Sequence, residues 1–227
     1  MKQSIAYMDD QMKDKKIHIF YFLTTIYIVV SIILGIILYN GLIIFLGWNI
    51  FLATLVYALS ELIVYLHKQG KRKIYLMIVL VTYILFFPNA LYVLTDFIHL
   101  ENYNFFRDYP NIYEMKILDW LVFMQITIGA FYAAKLGIAS IKKLEPIFFI
   151  SLKKYKIIIL SSLFLLSSLG IFIGRFLRFN SWQIFDIFSI LKGIFNQLGF
   201  AIIFILIFFV LHWVSYFVFS HEDKISL

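Results

Sequence analysis

Four residues in the stretch FFPNALYVLTDFIHL, Phe86 to Leu100, have side chains that could build a site. Asn89, Tyr92, Asp96 and His99 stand at i, i+3, i+7 and i+10, a spacing that puts them on one face of an α-helix. An aspartate and a histidine one turn apart suit an oriented acid–base pair, in which the carboxylate fixes the imidazole, or two ligands of a divalent metal. Asp119 and Glu101 are further carboxylates that either arrangement could recruit. No HExxH or similar spacing singles out a metal, so metal use rests on Asp96 and His99 and stays open. The run around them is apolar, and an ionisable group at the centre of a membrane helix costs about 2.5–3.5 kcal/mol. Such groups usually face the protein interior and mark a site. The structural alternative is an ion pair that holds helices together.

Arg175 and Arg178 make a second candidate pair, one helical turn apart at the end of an apolar run. Two guanidinium groups beside a membrane surface suit phosphate, which they bind bidentately. The bland alternative is snorkelling to lipid headgroups. A specific partner is the expectation, whether a ligand or one of the carboxylates Asp96 and Asp119. Asn89, Asn180 and Asp119 are expected to orient the set.

The elements that must carry these residues follow from composition. The 227 residues are 63% hydrophobic and the mean hydropathy is +0.91, where a soluble domain is about half apolar. The expectation is an all-α integral membrane protein, one domain over residues 1–227. Six transmembrane helices are expected over approximately 17–38, 42–66, 74–98, 118–138, 157–177 and 194–219. Pro88 predicts a kink or break in the third. Gly129, Ala133 and Gly137 in the fourth, and the GxxxG pair Gly170 and Gly174 in the fifth, predict close helix packing. Residues 140–156 read as a basic loop holding Pro146, and 180–191 as a short interfacial helix. Glu61 is expected to pair with the basic loop at 68–73. The serines at 161, 162, 167 and 168 have no activating histidine or aspartate evident in the sequence, and His212 reads as a packing residue.

Several function classes drop out. No cysteine is present, which removes disulfides, thiolate metal sites and cysteine nucleophiles. No Walker or dinucleotide motif appears, so no nucleotide cofactor is expected. The net charge of +7 sits beside apolar spans and reads as a topology signal rather than as nucleic-acid binding. Fourteen lysines and arginines fall in one set of alternate flanks and five in the other. The positive-inside rule then puts both termini in the cytoplasm of a plasma membrane. Asp96, His99, Glu101, Asp119, Arg175, Arg178 and Asn180 share the outer face, with Trp48 and Asn49 beside them. An outward-facing polar pocket is expected.

FFPNALYVLTDFIHL resembles the PNAPYxxTDxxHL signature of a bacterial membrane-protein family catalogued as domain of unknown function 1361. GIFIGRFLRFNSW, Gly170 to Trp182, is similar to that family's GxYxGRFxRWNSW-like run. Trp48-Asn49 and Asp119-Trp120 also resemble the family pattern. Leu91, Phe179 and Gln183 depart from it, where proline, tryptophan and aspartate are common. The family carries no assigned activity, so the resemblance implies an architecture and a site and no reaction.

Three functions are carried forward. One is binding or modifying a phosphate-bearing lipid or lipid-linked precursor, with Arg175 and Arg178 on the phosphate and Asp96 and His99 in acid–base or metal work. Another is a small-ion or proton-coupled transporter, for which the sequence offers a polar path of little more than Asn49, Tyr57 and Glu61. The last is a non-catalytic membrane assembly partner.

Overall fold

In a bilayer every backbone N–H and C=O must be satisfied internally, so long apolar runs fold as helices. The computed structural model describes residues 2–105, 115–149, 152–179 and 186–220, with side chains from residue 18 onward. Its elements are α1 Lys2–Ile37, α2 Gly41–Lys68, α3 Lys73–Phe86, α4 Pro88–Tyr92, a 3₁₀ segment Val93–Asn102 and α5 Ile117–Phe148. A 3₁₀ turn, Lys153–Tyr155, leads into α6 Lys156–Phe172 and a π turn, Ile173–Leu177. α7 Ile187–Asn196 and α8 Leu198–Ser220 complete it. Six segments are long and apolar enough to cross a membrane: His18–Ile37, Gly41–Lys68, Lys73–Asn102, Ile117–Phe148, Lys153–Leu177 and Leu198–Ser220. This is a multi-pass helical membrane protein.

α2 and α5 are the middle of the bundle. About half of each is buried within the protein, while the other spans turn most of their surface outward. Small residues let the backbones approach. Gly129 lies against the Tyr27 ring of α1, and Ala133 is buried in the core between α1, α2 and α5. A Cβ on Gly137 would sit 2.6 Å from the Cβ of Ala90 in α4, and one on Gly170 would sit 2.7 Å from Cγ of Pro88. Gly174 rests at ordinary contact distance from the Tyr92 ring. Gly137 on one side and Gly170 with Gly174 on the other therefore clamp the short α4.

That clamp acts on a broken helix. α3 ends at Phe86 and Pro88 opens α4 at its first position, where a missing N–H costs nothing. Asn89 Nδ2 donates to the Phe86 carbonyl at 2.9 Å, and the Ala90 N–H donates to Phe87 O at 3.1 Å. Carbonyls orphaned by the break are thus met locally. The chain then winds as a ten-residue 3₁₀ helix, far longer than the three or four residues usual for that geometry.

Two elements differ from the sequence reading in their bounds. α5 does not end near 138 but runs through Pro146 to Phe148. Its charged last turns, which suggested a loop, are neutralised by partners. Lys143 pairs with Glu61 at 2.5 Å, and Glu145 pairs with Lys142 at 3.4 Å and Lys156 at 3.1 Å. Glu61 therefore finds Lys143, and Tyr21 at 2.5 Å, rather than the 68–73 loop. The short helix expected at 180–191 is α7 at Ile187–Asn196, capped by Asp186, which accepts from the Ser189 N–H. Residues 180–185 lie outside the described residues.

The pairing also fixes which helix ends meet. Glu61, Lys143 and Tyr21 gather at one end of the bundle, and Asn49, Asp96 and Arg175 near the other. The first is the basic end, where the 68–73 and 142–156 segments lie.

Candidate functional site

A carboxylate buried among helices must be paired or it will not stay charged. Asp96 has no exposed surface, and both its oxygens are taken. Oδ1 accepts from Arg175 Nη2 at 2.5 Å, and Oδ2 accepts from Asn49 Nδ2 at 2.7 Å. α2, the 3₁₀ segment and the π turn are tied together at this one group.

Arg175 is held on every side. Its Nε donates to Thr95 Oγ1 at 2.7 Å, and its Nη1 faces His99 Nε2 at 3.4 Å. Its guanidinium also lies 4.7 Å over the Tyr92 ring. Arginine has donors only, so in this contact the histidine nitrogen acts as the acceptor. Of the five guanidinium N–H groups, these contacts use three. The Arg175 side chain keeps 14% of its surface exposed.

The 3₁₀ winding sets how these side chains line up. At three residues per turn, Val93, Asp96, His99 and Asn102 stack on one line and Tyr92, Thr95 and Ile98 on the next. Arg175 reaches across both lines. On a regular α-helix Tyr92, Thr95, Asp96 and His99 would also share one face, since Thr95 stands three residues after Tyr92 and four before His99. Thr95 is the residue that the sequence reading missed. Its Oγ1 donates to the Tyr92 carbonyl at 2.6 Å, so it accepts from Arg175 with a fixed orientation.

The backbone carrying the arginines is also unusual. Ile173–Leu177 is a π turn, and Arg178 follows in the left-handed region at φ 57°, with its side chain exposed. Arg178 pairs with no acidic group among the described residues, so Asp96's cationic partner is Arg175 alone.

The other expected site residues are spread more widely. Asn89 is engaged at the Phe86 carbonyl. Asp119, in the first turn of α5, accepts from the Asn104 N–H at 3.1 Å and ties down the chain after the 3₁₀ segment. Glu101 is exposed. Asn180 lies outside the described residues. Among the described residues, no group of three or more His, Asp and Glu gathers as a metal set. A guanidinium stands beside His99 Nε2, and both Asp96 oxygens are engaged.

One expectation is corrected. The sequence reading found no base for the serines, yet His212 Nε2 lies 2.7 Å from Ser167 Oγ, and its Nδ1 lies 2.7 Å from the Phe208 carbonyl. The two residues sit 45 positions apart and nothing local announces the contact. Both are buried, with His212 between the rings of Phe87 and Phe164, so the contact joins α6 to α8.

Comparison with known families matches residues 48–215 to the family described as "Protein of unknown function (DUF1361)". The chain belongs to that family. The match begins at Trp48, so Asn49, Tyr92, Thr95, Asp96, His99, Arg175 and Arg178 all fall inside the family region, and α1 falls outside it. Neither a curated protein nor a solved structure matches the chain.

Proposed function

We propose that this family member binds the phosphate group of a lipid or lipid-linked precursor at the end of the bundle opposite the basic one. Arg175 and Arg178 hold the phosphate, and any proton transfer falls to His99. Asp96, with both oxygens engaged, acts by orienting Arg175. The observation that carries this reading is the backbone under the arginines. π turns recur at functional sites, and a left-handed residue other than glycine costs about 1–2 kcal/mol. Because Arg175 is already held by Thr95, Asp96, His99 and Tyr92, little side-chain freedom remains to be lost when an anion arrives.

A second reading has its own support. Asp96 is wholly buried, and the cluster would fasten three helix segments in a non-catalytic assembly partner just as well. The two separate on Arg178. Arg178→Asn, a residue that tolerates the left-handed backbone, is expected to leave the melting temperature in detergent unchanged. It should lower the phosphate lipid retained in native mass spectrometry about tenfold. A variant that keeps the lipid in full would hand the cluster to packing.

The basic end is proposed to face the cytoplasm. The chain lacks cysteine, so single variants can report the side directly. With a membrane-impermeant maleimide on intact cells, Met115→Cys is expected to label and Lys71→Cys to stay unlabelled; the reverse pattern inverts the topology.

A further inference from the structure

At the basic end the bundle has an unfilled apolar groove of about 340 Å³ between α3, the end of α5 and the start of α6. Leu80, Ile84, Leu144, Phe149 and Leu163 wall it. Ligand pockets occupy ~300–1,000 Å³, so the space suits a ligand segment. The polar groups along the wall are turned to other partners. Tyr83 Oη bonds Ser140 Oγ at 2.9 Å, and Ser162 Oγ donates to the Ile158 carbonyl at 2.9 Å. What faces the groove is hydrocarbon.

Its mouth is cationic. Lys153 and Lys154 are exposed and lie in the chain between two wall residues, Leu152 and Ile158. Lys156 Nζ stands 5.8 Å over the ring of Phe149, itself part of the wall. On the other wall, Lys71, Arg72 and Lys73 lead into α3. Glu145 is the single acidic residue in the segments 66–80 and 140–160. It is already held by Lys142, Lys156 and the Tyr216 hydroxyl. Leu80 stands seven residues beyond Lys73, so it lies ~10 Å deeper at 1.5 Å per residue. Charge at the surface and hydrocarbon below it match one kind of molecule.

The structure assigns this groove to an anionic phospholipid of the leaflet at the basic end, with one acyl chain between α3 and α6 and its phosphate at Lys153 and Lys154. Basic clusters at the ends of membrane helices attract anionic headgroups, and here a cavity adjoins the cluster. The assignment stands apart from the arginine site at the opposite end.

The test is native mass spectrometry after reconstitution into vesicles of equal palmitoyl-oleoyl phosphatidylglycerol and phosphatidylcholine. The wild type is expected to carry phosphatidylglycerol in preference. Replacing Lys153→Gln and Lys154→Gln should reduce that preference about fivefold per lysine. Both residues are exposed, so folding should survive, and an unchanged melting temperature checks it. Ser162→Trp, which fills the groove, should remove the bound lipid altogether. Equal retention of the two lipids by the wild type would overturn the assignment, as would a lysine variant that keeps the preference. Loss of the phosphatidylglycerol in Arg178→Asn instead would place that lipid at the opposite end and also overturn it. A wild-type dimer that Ser162→Trp dissociates would give the groove to a second copy of the chain, with the same consequence.

Discussion

Asp96→Asn is expected to lower the melting temperature in detergent by about 10 °C. The substitution keeps the shape of the side chain and removes its charge, so the partly buried Arg175 is left without a counter-ion. Removing one partner of a buried pair costs about 3–5 kcal/mol, and for a chain of this size 1 kcal/mol is worth about 2–4 °C. The same reasoning makes the double variant informative. With Arg175→Met added, no uncompensated charge remains, and an apolar replacement of a buried pair is often close to neutral. At least half of the lost stability should therefore return, which a double-mutant cycle measures directly. Lipid retention should fail in both variants, because it needs the guanidinium in its held orientation. An Asp96→Asn protein as stable as the wild type would mean that the pair does not carry the junction of α2, the 3₁₀ segment and the π turn.

Gly137→Val is the second large effect expected, and it reaches the same site from a distance. A Cβ at 137 would meet the Cβ of Ala90 at 2.6 Å, and both atoms ride on helix backbones that cannot rotate away. Overpacking of this kind costs about 1–3 kcal/mol. α4 is one and a half turns long and runs straight into the residues that hold Arg175, so pushing it aside also displaces Thr95 and Asp96. Both the melting temperature and the retained lipid should fall. Gly199→Ala is the matched control. It sits in α8 with nothing within 4 Å of its would-be Cβ, and it should change neither readout. Lipid retention that survives Gly137→Val at full strength would show that α4 can move without disturbing the arginine.

How far the sequence carried the site depends on the kind of contact. Asp96 and Arg175 were both visible as charges at membrane depth, since a single ionisable residue in an apolar run is conspicuous without any knowledge of its neighbours. Their partnership was one of several left open, among Asp96, Asp119, Arg175 and Arg178. Thr95 was overlooked because threonine is common in membrane helices and usually bonds its own backbone, although it stands on the same stripe as Tyr92 and His99. The contact of Ser167 with His212 was missed for another reason, since it depends on how α6 and α8 are rotated about their axes. The same holds for Glu61, for which the nearest basic loop looked sufficient, while α5 ran ten residues further and brought Lys143 to it.

By itself the sequence determined that this is a helical membrane protein with six apolar spans, that its charges divide between two unlike ends, and that the polar residues of the Pro88 region mark one of them. Those properties are sums and periodicities along single helices, which hydropathy and charge express whatever the neighbours do. Only the tertiary structure decided which carboxylate meets which cation, that Asn89 mends a broken backbone, and that a groove opens between α3 and α6. Each of these rests on the rotation and winding of one helix against another. Close packing sets that rotation, where a single methyl on Gly137 or Gly170 would no longer fit.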